Sequence, residues 1–474
     1  MNEDRKQIDA IDKKLMSLLE ERFKLVKKIG QFKQEQNLPI ENIAREEEIL
    51  LQAKKYLYEE EITNVYQQIF LLSKNIQKYK YALIGKSLPY TLSPQIYEAL
   101  GLSSYAIIET DDFFKTLKKY PYHGFNVTIP YKELAYNYCN KHDESSLKTN
   151  VVNTIIDDKG YNTDYLALNY LFNKEKINHK KVLIIGNGAT SRSVRAALNG
   201  KVINLVRTVR TEGEIPLSDY DKHLNAEVII NTTPYGTYPH LVKEPLFPLD
   251  KFTNLQLVVE VVYNPLNTPL IQEAKKLQIK TLNGFKLLVT QACLAYNLFT
   301  GLKANSDALY QKLYEDNLNI VLIGMPYAGK SHIAANLAKV LKKEVIDFDL
   351  ELKKQGKDLE TVLKTDSLAS FRKFELDFAS SLINTRGKII APGGGIVLSS
   401  EAMFYLSLNS VIVFINSPLS ILKARFDKTR PLIKKRKDFD KLYKQRLELY
   451  KQYADIIVTK EEEIMEKIYA YIRN

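Results

Sequence analysis

Gly324, Gly329, Lys330 and Ser331 stand in the spacing Gly-x-x-x-x-Gly-Lys-Ser, between an apolar run that starts at Asn319 and a helical pattern that reaches Leu341. Glycines at those two positions let the backbone curl its N–H groups toward phosphate oxygens. The lysine then reaches the β- and γ-phosphates, and the Ser331 hydroxyl is placed to ligate Mg²⁺. The chemistry implied is phosphoryl transfer from a nucleoside triphosphate. A second apolar run, EVIDFD, ends in Asp347 and Asp349, which strand alternation puts on one face. Carboxylates at the carboxyl end of a strand beside such a loop suit Mg²⁺, with Asp347 as the ligand, or a phosphoryl acceptor.

Two further constellations carry different chemistry. After the apolar residues 181–185 comes Gly186-Asn187-Gly188-Ala189, a shortened dinucleotide fingerprint that opens a helix. The next apolar run, VINLV, leads into Arg207-Thr208-Val209-Arg210, where an NAD site would present an acid; a basic end suits the 2′-phosphate of NADP(H). Near the amino terminus, Arg22 and Lys33 are 11 residues apart. On a helix they share a face, about 16 Å apart along the axis, so two long cations could bracket a small dianion. Arg5 precedes Arg22 by 17 residues and points about 100° away. It reaches the same pocket only if a second chain contributes it.

These sites need elements to hold them. The chain has 474 residues, more than one hydrophobic core usually serves, and it divides by pattern. Residues 5–79 are almost free of Gly and Pro and read as three helices, with breaks near Asn37-Leu38-Pro39 and Tyr58. From Tyr81 onward short apolar strands alternate with helices, the signature of α/β domains. A polar helical stretch between Leu302 and Asn319 separates a last α/β unit. The expected domains are 1–79, 80–315 with its dinucleotide-binding part at about 180–284, and 316–474.

Lys and Arg number 68 against 56 acids, a net charge of +12. That excess favours anionic partners, but the cations are interleaved with acids and form no nucleic-acid module, so small anionic substrates fit better. Cys139 and Cys293 match no metal or redox spacing, which points to a reducing cytoplasm. The charged, helical opening is not a secretory leader, and no apolar run spans a membrane.

Residues 317–474 resemble shikimate kinase: to the P-loop and DFD they add Phe371-Arg372-Lys373-Phe374-Glu375, Gly393-Gly394-Gly395, Thr429-Arg430-Pro431-Leu432-Ile433 and a late Arg446. The resemblance implies that ATP phosphorylates shikimate. Asp349 would polarise the acceptor hydroxyl, and Arg372 and Arg446 would grip the carboxylate. The three glycines would admit the ring, with Arg430 on a lid over ATP.

Residues 80–310 resemble shikimate dehydrogenase, through Leu92-Ser93-Pro94, Asn126-Val127-Thr128-Ile129-Pro130-Tyr131-Lys132, Val152-Asn153-Thr154, Asn162-Thr163-Asp164, Asn231-Thr232-Thr233, Tyr263-Asn264-Pro265, Thr268-Pro269-Leu270 and Gln291. By that resemblance Lys132 and Asp164 are the catalytic pair for reduction of 3-dehydroshikimate. Thr91 and Ser93 would hold the substrate carboxylate, and Thr128, Asn153 and Gln291 its hydroxyls. Tyr165 stands where the family has Gly and Glu260 where it has Asp, so a quinate-using variant is the neighbouring expectation.

Residues 1–79 resemble the all-helical chorismate mutases, which share their sites across a dimer. Arg5 of one chain and Arg22 of the other would hold the two carboxylates of chorismate. Lys33 and Gln77 would donate to the ether oxygen, Glu46 would accept the substrate hydroxyl, and Arg45 and Ser73 would support them. Asn42 replaces the family's usual Asp. The expectation is therefore a homodimer, joined through the N-terminal helices, with three activities. The rival is a dehydrogenase–kinase whose helices only dimerise or sense an effector.

Overall fold

The computed structural model describes residues 2–36, 38–78, 81–102, 105–119, 122–198, 202–210, 212–426, 435 and 438–473. Arg430 and the rest of its Thr-Arg-Pro-Leu-Ile run lie outside them. By internal contacts the chain forms two compact units. The first comprises Met1–Leu166 with Ala292–Ala304, and the second Ala167–Gln291 with Asn305–Asn474.

In the first unit, helices α1 (Asn2–Glu35), α2 (Ile43–Ala53) and α3 (Glu59–Lys78) come first. The break after α1 falls at the Pro39 segment, and the Asn42 side chain caps α2 by accepting from Arg45 N at 3.1 Å. α1 packs on α3 closely enough that a Cβ at Gly30 would sit 2.7 Å from Gln77 Cγ. The first half of α1 is exposed on every side: Ile8, Ile11, Leu15 and Leu18, at helical spacing, are 56%, 62%, 50% and 62% accessible.

The α/β part of this unit is a mixed six-stranded sheet built from β1 (Tyr81–Gly85), β2 (Tyr105–Glu109), β3 (Gly124–Val127), β4 (Lys141–His142), β5 (Thr154–Ile156) and β6 (Lys159–Tyr161), in the order β2-β1-β3-β5-β6-β4. β1 is buried along its whole length, as expected of a central parallel strand.

The second unit holds two parallel sheets. One has β7 (Val182–Ile185), β8 (Val202–Val206), β9 (Glu214–Pro216), β10 (Val228–Asn231), β11 (Leu257–Glu260) and β12 (Lys280–Leu282), in the order β12-β11-β10-β7-β8-β9. The other has β13 (Asn319–Ile323), β14 (Val345–Asp347), β15 (Ile389–Ala391), β16 (Ser410–Ile415) and β17 (Ile456–Val458), ordered β14-β15-β13-β16-β17. The order reverses on either side of β7 in one sheet and of β13 in the other. Ligand crevices open at the carboxyl ends of strands at such points, and both Gly-rich turns stand there.

Candidate active sites

The turn after β13 forms the wall of a cleft of about 520 Å³. Gly324 (φ +155°) and Gly329 (φ +88°) occupy backbone regions that side chains disfavour, and a Cβ at Gly324 would lie 2.8 Å from the Ile415 carbonyl. Gly329 caps the helix Lys330–Leu341, which puts its N-terminus toward the cleft. Lys330 Nζ donates to the carbonyls of Gly324 and Met325 at 3.0 and 3.3 Å, folded along the loop it would leave for a phosphate.

Ser331 Oγ donates to Asp347 Oδ2 at 2.6 Å. This hydroxyl–carboxylate pair fits Mg²⁺ held beside the phosphates. Asp347 also caps the helix Phe348–Lys354, accepting from Leu350 N at 3.2 Å. Asp349 therefore lies in that helix's first turn. The expectation that strand alternation sets it on a face with Asp347 is corrected, because the Asp cap ends the strand two residues early; both carboxylates line the cleft all the same.

The acceptor side is built around Gly393, Gly394 and Gly395. Arg446, 4% exposed, donates from Nη1 to the Gly394 carbonyl at 3.0 Å, and its buried Nε has no partner among the described residues. An added Cβ at Gly395 would fall 2.0 Å from Arg372 Nη2, so a side chain there would displace that guanidinium. Arg372 pairs with buried Glu375, whose carboxyl is raised by burial against the pull of the guanidinium. Glu375 stood in the F-R-x-x-E run without a role, and the structure gives it one: it holds Arg372. Arg425, which donates to the Tyr327 carbonyl at 3.3 Å, also lines the cleft. No motif marked it.

At the edge of the first sheet, Lys132 Nζ and Asp164 Oδ2 are 2.6 Å apart, each side chain 14% exposed. Lys132 opens the helix Lys132–Tyr138, and Asp164 lies in the first turn of Thr163–Lys174. Asn153 Oδ1 accepts from Thr163 N at 2.8 Å and so fixes the turn that carries Asp164. Asn153 is thus a support for the acid as well as a candidate for the substrate hydroxyls. Val127 N donates to Asn153 O at 2.8 Å, which brings Thr128 to the same edge, and a Cβ at Gly85 would touch Thr128 Cγ2 at 2.7 Å. Thr91 and Ser93 follow β1, their hydroxyls 3.2 Å apart. Tyr165 is buried and its hydroxyl accepts from Lys148 Nζ at 3.4 Å.

In the second unit Gly186 (φ +109°) ends β7, and a Cβ there would lie 2.7 Å from Thr232 Oγ1. Gly188 caps the helix Ala189–Ala197 with open space over its Cα, so Ala189 and its neighbours offer N–H groups to a phosphate. Arg207, Thr208 and Arg210 follow β8 and are exposed. This cradle fits a dinucleotide. Glu214, which sequence reasoning missed, accepts from Arg210 N at 2.7 Å and from Asn187. Gln291 stands on the helix Gly284–Thr300, its amide donating to Leu288 O at 3.1 Å.

Among the helices, Arg22 Nη1 donates to Ser73 Oγ at 2.7 Å, and Gln77, buried, faces Gly30. Lys33 Nζ donates to Ile40 O at 2.8 Å. Glu46 pairs with Lys74 at 3.1 Å, and Arg45 with Glu48. Arg22, Ser73 and Gln77 therefore meet on the α1–α3 seam, while Arg5 is exposed near the start of α1.

Fold and sites together define a multidomain α/β enzyme preceded by a helical module. The sequence models of three families match successive parts of the chain: chorismate mutase type II over residues 4–78, the shikimate dehydrogenase substrate binding domain over 83–155 and shikimate kinase over 326–474. The chain is 34% identical over 262 residues to the shikimate dehydrogenase (NADP(+)) of Halothermothrix orenii, covering 47% of this chain and 90% of the relative. It is 31% identical over 257 residues to the shikimate dehydrogenase of Sulfurisphaera tokodaii, covering 50% and 95%. A chorismate mutase/shikimate 5-dehydrogenase fusion protein from Clostridium acetobutylicum superposes with a TM-score of 0.46 at 25% identity, over 50% of this chain and 98% of that one. The chain belongs to the shikimate dehydrogenase family, with a chorismate mutase domain before the dehydrogenase and a shikimate kinase domain after it.

Proposed function

We propose that the chain reduces 3-dehydroshikimate to shikimate with NADPH, phosphorylates shikimate with ATP, and rearranges chorismate to prephenate. The observation that carries the first reaction is the enclosed Lys132–Asp164 pair at 2.6 Å. NADPH, when bound, supplies the hydride. The Lys132 ammonium donates a proton to the substrate's carbonyl oxygen as that oxygen gains charge, and Asp164, 2.6 Å away, orients the ammonium and accepts from a neighbouring ring hydroxyl. Thr91 and Ser93 bind the carboxylate, so the carbonyl is presented to Lys132 in one orientation.

In the kinase site Asp349 orients the shikimate hydroxyl for attack, Arg372 and Arg446 hold the carboxylate with planar forks, and Lys330 stabilises charge on the transferring group. ATP supplies the phosphoryl group, and Ser331 and Asp347 would hold Mg²⁺ against its oxygens. The position of Arg430 in the sequence suits a closing lid.

In the helical domain Arg22, Lys33 and Gln77 surround a substrate whose ether oxygen gains negative charge as it leaves. The exposed stripe Ile8, Ile11, Leu15 and Leu18 supports a second copy packing on α1, which would bring its Arg5 to the site. Two free, buried cysteines suit a reducing cytoplasm. Among the described residues no helix is long and apolar enough to cross a membrane.

The test is a set of separate assays on the full chain. Arg22→Ala should abolish prephenate formation and leave the other two activities; an unchanged mutase rate would reduce the helices to a dimeriser. Tyr165 beside Asp164 makes quinate the control substrate, and faster turnover of quinate than of shikimate would reassign the middle domain.

A further inference from the structure

The loop 261–268 follows β11 at the carboxyl edge of its sheet, the edge where Gly186 and Gly188 form the dinucleotide cradle. It does not close on its own domain alone. Leu266 N donates to Asn409 Oδ1 at 2.9 Å, and Asn267 N to Leu408 O at 2.9 Å. Asn267 Nδ2 donates to the carbonyls of Ser407 and Ser410 at 3.2 and 3.0 Å, and Arg386 Nη2 to Asn264 Oδ1 at 3.0 Å. Leu266, Asn267, Leu408, Asn409 and Ser410 are all 3% exposed or less. Buried backbone groups of this kind must be matched, and here the kinase domain matches them.

The seam is tied into the framework of both domains. On the dehydrogenase side Thr268 Oγ1 donates to Glu260 at 3.1 Å, and the Asn264 carbonyl accepts from Tyr238 N at 3.0 Å. On the kinase side Asn409 Nδ2 donates to Ile383 O at 2.7 Å, and Asn409 O accepts from Asn319 N at 2.9 Å, at the start of the strand that leads into the P-loop.

We propose that the kinase domain is a structural part of the dehydrogenase: Asn409 and Arg386 are positioning residues for the reductive reaction, holding the 261–268 loop at the cofactor edge. The proposal rests on the dehydrogenase reading above for its activity arm and on geometry for the rest.

The experiment compares the full chain with Asn409→Ala, Arg386→Ala and the conservative Arg386→Lys. It measures amide hydrogen exchange at Leu266 and Asn267, kcat and KM for NADPH and 3-dehydroshikimate, and shikimate phosphorylation. In the two alanine variants, exchange at both amides is expected to speed up at least tenfold. Dehydrogenase kcat/KM should fall about tenfold, phosphorylation should stay within twofold, and Arg386→Lys should recover most of the loss. Unchanged exchange and unchanged reduction in both alanine variants would overturn the proposal, as would a parallel loss of both activities, which marks simple damage to the fold. If the unmodified chain reduces no 3-dehydroshikimate, the functional reading fails, and the exchange arm still decides whether the seam holds the loop.

Discussion

Lys132 and Asp164 make the sharpest claim at the scale of single residues, because an ammonium and a carboxylate both 14% exposed and 2.6 Å apart have few roles other than proton handling and mutual support. Lys132→Ala is expected to lower dehydrogenase kcat by roughly 100-fold or more, the usual worth of a general acid, with kinase activity unchanged; an NADPH-linked assay beside a phosphorylation assay measures both. Glu260 gives a pH prediction. Burial pushes its carboxyl from 4.5 up to about 7, against bonds from Val262 N at 3.0 Å, Asn231 Nδ2 at 3.0 and 3.1 Å and Thr268 Oγ1 at 3.1 Å. A folded-state pKa above the unfolded one means that the folded state binds the extra proton. Its stabilising share is therefore full below about 4.5 and lost as pH rises to about 7, a fall on the order of 3 kcal/mol from this group. Melting temperatures across that range should show this slope in the parent chain and lack it in Glu260→Gln; equal slopes would place the titration elsewhere.

At the scale of elements, glycine patterns were the most legible part of the sequence, and local caps the least. Gly324, Gly329 and Gly186 announced their turns because their positive φ calls for glycine's backbone freedom, and with Gly188 they stand where a strand passes into a helix. Asp349 was misplaced because a carboxylate cap and a strand residue look alike in sequence; Asp347 takes the cap and the strand stops there. Arg425 and Glu214 carried no signal, since Arg425 meets Tyr327 and Glu214 meets Asn187 only when segments distant in sequence come together. The Gly393-Gly394-Gly395 turn yields a direct test. Gly395→Ala would drive a methyl into Arg372, so the KM for shikimate should rise about tenfold or more while the KM for ATP holds; titrations of the two substrates would separate these. On α1 the stripe through Ile11 and Leu15 predicts that Ile11→Asp with Leu15→Asp lowers both the sedimentation mass and the mutase rate. A mutase that survives as a monomer would show that Arg5 of a second chain is not needed.

For the molecule as a whole, three folds with separate residues argue that the activities can be lost one at a time. Lys330→Ala should abolish phosphorylation and spare reduction and prephenate formation. The helical module and the strand–helix alternation after it were readable from periodicity, and the P-loop from its spacing, while the dehydrogenase was legible only through the ordered motifs that resemble its family. The buried seam around Asn409 was not, because an Asn next to a strand looks the same whether it closes its own loop or another domain's. The central claim is that the dehydrogenase and kinase domains act on successive substrates. The most direct measurement supplies the purified full chain with 3-dehydroshikimate, NADPH and Mg-ATP, and follows NADPH absorbance together with shikimate 3-phosphate. The account predicts that NADPH is consumed and that shikimate 3-phosphate appears in matching amount. Constant NADPH, with added shikimate still phosphorylated, would contradict it.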